Sequence, residues 1–300
     1  MIRRCFPLLC FVLTFALGAA SPAAATKTPV PKKAPVAVKK LVAPKPALEP
    51  YAVDPSGKAP RISASSAILL DANTGEVLME VNADQPRPVA STQKLLTALL
   101  VAETGNLSQD VRVETPDTWA EPSMLYIKPG DVYTRQQLLS ILLVKSMNDV
   151  ARCLARDNAG SVEAFAAKMN AKAQLLGMTR SNFVNPNGLP AAGQNSTARD
   201  MARVAFAAYR NRTIRSIVCL KSINWEYSDG RRKTFETTNR VLKNYPLCNG
   251  MKTGYTEAAG HCLISSASNG TREVISVVLG ASKETIWNDS YRLLAWGLSS

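Results

Sequence analysis

The stretch ASSAILLDANTGEVLMEV, residues 64–81, holds two apolar runs that flank a turn-rich segment. The runs lie at residues 67–70 and 77–79, and residues 71–75 between them are rich in Asp, Asn, Thr and Gly. Short apolar runs joined in this way predict a strand, a turn and a second strand. The folded part of the chain is therefore expected to begin with a β-hairpin.

Helical patterns follow the hairpin, and strands return near the end of the chain. Apolar residues with helical spacing occupy residues 91–103, 138–145, 150–156, 162–176 and 196–210. Residues 263–264 and 273–279 are β-like, and residues 284–296 have the pattern of an amphipathic helix. Strands at both ends of a helical middle predict an α+β fold, an antiparallel β-sheet flanked by helices with a mainly helical lobe. We expect residues 61–300 to form one domain.

The composition excludes several classes of protein. Hydrophobic residues are 46% of the chain and charged residues 20%, so there is enough apolar material for a core. The single histidine, His261, excludes zinc sites built on two or three histidines. No apolar stretch reaches the roughly 18 residues of a membrane-spanning helix. We expect neither a metal ion nor an organic cofactor.

The N-terminus has the features of a secretion signal. Two arginines precede an apolar run at residues 5–17 and small residues at 18–20. We expect residues 1–20 to be a signal peptide, cut after Ala20 or Ala25, and the mature protein to be exported to the periplasm or the outer face of the cytoplasmic membrane. Four of the six cysteines remain in that mature chain, and the sequence leaves their pairing open.

Residues 21–60 differ from the rest of the chain. They contain nine of the 18 prolines and seven lysines against two acidic residues, which predicts an extended tether. The formal charge of +13 is therefore concentrated before residue 61, and residues 61–300 keep only +6. No aromatic and basic motif accompanies the charge, so we expect no nucleic-acid partner. Electrostatic attraction of the tether to an anionic cell envelope stays open beside a purely solubilising role.

A first candidate for chemistry is Ser91-Thr92-Gln93-Lys94, at the start of the predicted helix 91–103. Residues three apart lie on one face of a helix, so the Lys94 amine can reach the Ser91 hydroxyl and accept its proton. A lysine in an otherwise apolar helix has a lowered pKa, as a general base requires. A helix-capping serine followed by a solvent-facing lysine would give the same pattern.

A second candidate, Ser146-Met147-Asn148, interrupts two predicted helices. The Ser146 hydroxyl could relay a proton, and the Asn148 amide could hold a substrate carbonyl or orient a lysine. An ordinary turn between helices explains the pattern equally well. Because Ser222-Ile223-Asn224 has the same spacing, Ser-x-Asn alone decides nothing.

A third candidate is Lys252-Thr253-Gly254, followed by Tyr255. If this segment is a strand, Lys252 and Thr253 can supply a charge and a hydroxyl to a substrate carboxylate. Gly254 lets a ligand approach the backbone, and the N–H groups of Tyr255 and Ser91 could form an oxyanion hole. A strand edge that leads into a turn is the alternative.

The three motifs occur in the order known from β-lactamases and penicillin-binding proteins. Five further stretches resemble segments of penicillin-binding proteins: residues 66–75, 185–189, 196–202, 238–240 and 250–256. On these residues the chain resembles the serine D-alanyl-D-alanine carboxypeptidases, the low-molecular-mass penicillin-binding proteins, from about residue 65 to 297. The resemblance implies a fold of the β-lactamase and penicillin-binding transpeptidase type.

The resemblance also implies roles for the motif residues. Ser91 would attack the peptide bond between two D-alanines and form an acyl-enzyme, with Lys94 as the base and Ser146 passing the proton to the leaving amine. The substrates would be peptidoglycan stem peptides that end in D-Ala-D-Ala, and water would release the shortened peptide. β-Lactams would acylate the same serine as covalent inhibitors.

The remaining motif residues would bind the substrate. Asn148 would position its amide, and Lys252 and Thr253 its terminal carboxylate, beside Gly254. Met147 stands where the family usually has glycine, and we expect it to narrow the cleft. Residues 282–285 lack the arginine that we expect to help hold the carboxylate.

Alternatives to a carboxypeptidase remain. A DD-endopeptidase would use the same residues on cross-links, and a site without that arginine suits it. A class A β-lactamase needs a deacylating glutamate, but none occurs between Glu163 and Glu226. A non-catalytic cell-wall binding module and a Ser-His-Asp hydrolase using His261 are less favoured. The chain ends at Ser300, without the β-domain and membrane anchor found in many family members, so we expect any anchoring at the N-terminal end.

Overall fold

The computed structural model describes residues 48–300 of the chain. Its strands are β1 (Ser66–Asp71), β2 (Val77–Val81), β3 (Asp110–Arg112), β4 (Val132–Thr134), β5 (Ser222–Glu226), β6 (Arg232–Glu236), β7 (Cys248–Thr256), β8 (Gly260–Ser268) and β9 (Glu273–Ala281). Its helices are α1 (Lys94–Thr104), α2 (Arg135–Lys145), α3 (Asn148–Ala159), α4 (Val162–Leu175), α5 (Ala198–Arg210), α6 (Arg212–Val218), α7 (Arg240–Asn244) and α8 (Ile286–Ser299).

A five-stranded antiparallel sheet joins the beginning of the domain to its end. Its strand order is β2-β1-β9-β8-β7, and β1 pairs with β9 from Ser66 opposite Leu279 to Asp71 opposite Val274. Strands β3-β4 and β5-β6 form two smaller sheets. The predicted hairpin and the predicted α+β class are confirmed.

Helices cover both faces of the large sheet. Side chains alternate between the two faces of a strand, so neighbouring residues enter different cores. On β1, Ile68 belongs to the core shared with the helical lobe, and Leu69 to the core under α8. Helix α1 lies inside the helical lobe and contacts α2, α3, α4 and α5. Polar side chains in the first part of α1, such as those of Lys94 and Thr97, are therefore placed in apolar surroundings.

The last part of the predicted tether packs against the domain. The indole N–H of Trp296 on α8 donates to the carbonyl oxygen of Gly57 at 3.0 Å, and Leu48, Tyr51 and Val53 lie against the core under α8. Apolar side chains within this proline-rich segment explain the packing. The predicted signal peptide and residues 21–47 of the tether lie outside the described residues.

Two further features concern the cysteines and the helices of the described residues. Within residues 48–300, Cys153, Cys219, Cys248 and Cys262 are free thiols. The helices of this part of the chain are too short or too polar to cross a bilayer.

The core under α8 gives a stability prediction. Leu69 is fully buried, so Leu69→Ala is expected to lower the free energy of unfolding by about 2–5 kcal/mol. Leu175→Ala is the matched control, because Leu175 is 83% exposed and its truncation should cost less than about 0.5 kcal/mol. Urea unfolding of both variants measures the difference, and equal losses would contradict the packing described here.

Candidate active site

The turn that carries Ser91 is held between two glycines. It is a short 3-10 turn, Ala90–Gln93, directly before α1. A Cβ atom on Gly254 of β7 would lie 2.8 Å from the Ser91 amide nitrogen, and one on Gly188 would lie 2.2 Å from the Ala90 carbonyl oxygen. Only glycine fits at either position, so β7 and the loop 185–189 clamp the turn from two sides.

Ser91 and Lys94 are in direct contact, as the Ser-x-x-Lys motif predicts. The Lys94 Nζ donates to the Ser91 Oγ at 2.8 Å, to the Asn148 Oδ1 at 2.7 Å and to the Asn187 carbonyl oxygen at 2.6 Å. When the amine is neutral, its two N–H groups can keep both carbonyl partners. The lone pair then faces the Ser91 hydroxyl, which is the arrangement that a general base needs.

Burial controls the protonation of Lys94. The side chain is fully buried, and desolvation of the ammonium holds the pKa of Lys94 well below its usual 10.5. The charge of Lys252 lowers this pKa further, whereas the Asp149 carboxylate raises it. A solvent-facing lysine, the alternative interpretation of the motif, is excluded by this geometry.

Asn148 and Asp149 fix the loop opposite Ser91. The Asn148 Nδ2 donates to the Pro122 carbonyl oxygen at 2.6 Å, and its backbone N–H donates to the Ser123 carbonyl oxygen at 2.9 Å. The Asp149 carboxylate accepts the backbone N–H groups of Leu125 and Tyr126 at 3.0 and 2.8 Å. With both ends of its amide occupied, Asn148 orients the lysine, which is the second of its two predicted roles.

A cleft of about 270 Å³ opens beside Ser91. It is lined by Ser91, Ser123, Lys145, Ser146, Thr238, Thr253, Gly254, Tyr255, His261, Cys262, Ile286 and Trp287. Of the predicted residues, Lys94, Asn148 and Lys252 lie buried behind this surface. Met147 is buried in the core and is not among the lining residues, so the expectation that it narrows the cleft is wrong.

Two threonine hydroxyls face the cleft where the lysine of Lys-Thr-Gly was expected to do so. The Thr253 and Thr238 Oγ1 atoms are 2.5 Å apart. Lys252 is 1% exposed, and its Nζ donates to the Thr253 carbonyl oxygen at 2.8 Å. Burial lowers the pKa of Lys252 to about 7. A substrate carboxylate in this cleft would meet the hydroxyl pair directly and the lysine as a buried charge behind it.

Ser146, Tyr255 and His261 complete the cleft wall. Ser146 ends α2 in a left-handed conformation with φ 71°, which turns the chain sharply between α2 and α3. The Tyr255 ring packs on the His261 ring with their centroids 4.4 Å apart. Within the described residues no hydrogen bond joins Ser91 to His261, so a Ser-His-Asp triad is not assembled. No group of His, Cys, Asp and Glu side chains in this part of the chain is suited to hold a metal ion.

Several residues of the site were not assigned a role from sequence. The carbonyl oxygen of Asn187 accepts from Lys94, Gly188 supports the turn, Thr238 pairs with Thr253, and Asp149 holds the loop of Ser123. The stretches 185–189 and 238–240 resemble those of the family, but their residue types alone do not predict these contacts. The second Ser-x-Asn, at Ser222, lies on β5 and does not line the cleft.

Comparison with known proteins identifies a matching family and similar relatives. The family described as D-alanyl-D-alanine carboxypeptidase, peptidase S11, matches residues 54–283. The chain is 35% identical to D-alanyl-D-alanine carboxypeptidase DacC of Escherichia coli over 82% of the chain, which is 64% of that relative and thus less than two thirds of its length. It is 32% identical to the D-alanyl-D-alanine endopeptidase of Escherichia coli, over 79% of the chain and 78% of the relative.

A solved structure supports the same fold. The D-alanyl-D-alanine carboxypeptidase from Mycobacterium tuberculosis H37Rv superposes with a TM-score of 0.77 at 34% sequence identity. The match covers 81% of this chain and 94% of that one. The penicillin-binding type of fold that the sequence predicted is therefore confirmed.

The protonation of Lys94 can be tested through Ser91. Asn148→Asp places a carboxylate against the Lys94 amine and is expected to raise its pKa by about one to three units. The rate at which a fluorophosphonate modifies Ser91 should rise with pH as Lys94 loses its proton, and the midpoint should move upward in this variant. Asn106→Asp, at an exposed position, is the control. An unchanged midpoint in Asn148→Asp would show that Lys94 is not the base.

Proposed function

Because the chain belongs to the D-alanyl-D-alanine carboxypeptidase family, we propose that it is a serine peptidase of the bacterial cell wall. In this proposal it removes the terminal D-alanine from peptidoglycan stem peptides through an acyl-enzyme on Ser91. The resemblance drawn from the sequence motifs is confirmed by the family match over residues 54–283. The observation that best supports this activity is the position of the buried Lys94 amine, 2.8 Å from the hydroxyl of Ser91 at the edge of an open cleft.

The proposed acylation starts from the contact between Lys94 and Ser91. The Ser91 Oγ attacks the carbonyl carbon of the penultimate D-alanine while its proton passes to the Lys94 Nζ. The backbone N–H groups of Ser91 and Tyr255 receive the oxyanion. As the C–N bond breaks, Ser146, on the cleft wall, gives its hydroxyl proton to the leaving amine and takes the proton that Lys94 received from Ser91, so that Lys94 is neutral again. Water then hydrolyses the ester and restores the free serine.

The proposed carboxylate site lies around the threonine pair. Thr253 and Thr238 donate their hydroxyls to the terminal carboxylate, and the buried charge of Lys252 attracts it. The same charge disfavours a proton on Lys94. Gly254 keeps the strand close to Ser91 and leaves room for the substrate backbone.

The proposal includes export of the chain and a role for its tether. Stem peptides lie outside the cytoplasmic membrane, which agrees with the secretion signal proposed for residues 1–20. The tether that follows would let the domain reach its substrate, and its lysines would favour the anionic envelope.

A DD-endopeptidase is a second candidate function. Two observations favour it: residues 282–285 contain no arginine for the terminal carboxylate, and an endopeptidase relative matches over 78% of its own length. A β-lactamase is not favoured, because no Asp or Glu lies among the described residues that line the cleft. The penicilloyl form of Ser91 should therefore be long-lived.

Peptide substrates test the proposed function. The full chain is expected to release D-alanine from a pentapeptide ending in D-Ala-D-Ala, and Ser91→Ala should abolish release while Ser222→Ala, outside the cleft, leaves it intact. Mass analysis after incubation with labelled penicillin should locate the label on Ser91. Release from a cross-linked dimer alone would identify an endopeptidase, and activity in Ser91→Ala would contradict the mechanism.

The glycine clamp gives a further prediction. Gly188→Ala forces a methyl group against the Ala90 carbonyl and is expected to slow penicillin acylation about 100-fold, since displacing the nucleophile misaligns the attack. Gly193→Ala is the matched control: it lies in the same loop region with a similar positive φ, but its nearest contact would be 3.6 Å. Stopped-flow acylation and thermal unfolding of both variants separate lost alignment from lost stability. Equal acylation rates would show that the turn is not held by Gly188.

A further inference from the structure

A second cavity adjoins the cleft at Trp287. It has a volume of about 340 Å³ and lies between α7, α8 and residues 48–49. Trp287 lines both this cavity and the cleft, so the two spaces lie on either side of one residue. The proposed function leaves the cavity without a role.

The cavity wall carries two cations that are available to a ligand. Arg240 and Lys283 both line it, and the Arg240 guanidinium carbon lies 5.3 Å from the centre of the Trp287 ring. Neither residue forms a salt bridge among the described residues. The Glu49 carboxylate on the same wall is already paired with Arg292 at 2.8 Å.

The second carboxylate of the wall, Glu284, is also engaged. A hydrogen bond from Ser282 and the nearby charge of Lys283 lower the pKa of Glu284. Glu284 and Lys283 are both solvent-exposed, so water screens the repulsion of an incoming anion by the one and its attraction by the other, and Arg240 is the main contact. The Arg240 guanidinium lies over the Trp287 ring, and its N–H groups can make a bidentate contact with a carboxylate.

The position of Arg240 places this cavity on one side of the scissile bond. Arg240 follows Thr238 by two residues, and Thr238 with Thr253 forms the proposed site of the terminal carboxylate. A leaving group that extends past the threonine pair would thus reach Trp287 and then Arg240. D-Alanine alone has no side chain long enough to do so.

We infer that this cavity is a subsite for the leaving side of the substrate, where Arg240 and Lys283 bind a carboxylate carried by a leaving residue larger than D-alanine. A cross-linked substrate has such a leaving group, because the leaving amine there belongs to a second stem peptide. The inference rests on the proposed function and adds a determinant of leaving-group specificity. It favours cross-linked over uncross-linked peptides.

Three peptides that differ only in the leaving residue test the subsite. The residue is D-alanine, D-glutamine or D-glutamate, and the last two differ only in the charge of the side chain. In the full chain kcat/KM for the D-glutamate peptide should exceed that for the D-glutamine peptide about tenfold, as one charge-assisted contact provides. The double variant Arg240→Gln/Lys283→Gln should bring this ratio close to one.

The matched control is Arg232→Gln/Lys233→Gln, which removes two cations from β6 and should retain the ratio. Because the readout is a ratio, a general loss of folded enzyme cancels. A wild-type ratio near one, or a preference that survives in the Arg240 and Lys283 variant, would overturn the subsite. Failure of the wild-type protein to cleave any of the three peptides would instead reject the proposed function, and the subsite with it.

Discussion

Burying the amine of Lys94 inside the helical lobe is the constraint on which the rest of the site depends. A charged ammonium in such a place loses its hydration, so the neutral form is favoured and becomes available as a base. The side chain still needs partners, and the Asn187 carbonyl and the Asn148 amide supply them. Lys252 adds a second buried charge that acts in the same direction.

The fold supplies that environment from segments far apart in the chain. The turn of Ser91 is clamped by Gly188 and Gly254, one from the loop before α5 and one from the edge strand β7. Strand β7 pairs with β8 along most of its length and contacts the turn, so the sheet positions Gly254 beside Ser91. Catalytic groups placed in this way need little reorganisation when a substrate binds.

The fold class and the contact between Ser91 and Lys94 could be predicted from the sequence, because both rest on local patterns. Alternating and helical apolar spacing marks the elements, and Ser-x-x-Lys places Ser91 and Lys94 on one face whatever surrounds them. The contributions of Asn187 and Gly188 could not be derived, since they act through a backbone carbonyl and a missing side chain. The burial of Lys252 depends on tertiary packing, which the Lys-Thr-Gly motif does not encode.

The protonation state of Lys94 in the full chain tests the account most directly. Lysines labelled with ¹³C at Cε can be titrated by NMR, and the signal that disappears in Lys94→Met identifies this residue. This signal is expected to titrate well below 10.5, and Lys252→Met should shift its midpoint upward by removing a neighbouring charge. A Lys94 signal that titrates in the ordinary range of exposed lysines would contradict the claim that Ser91 is activated by a neutral, buried amine.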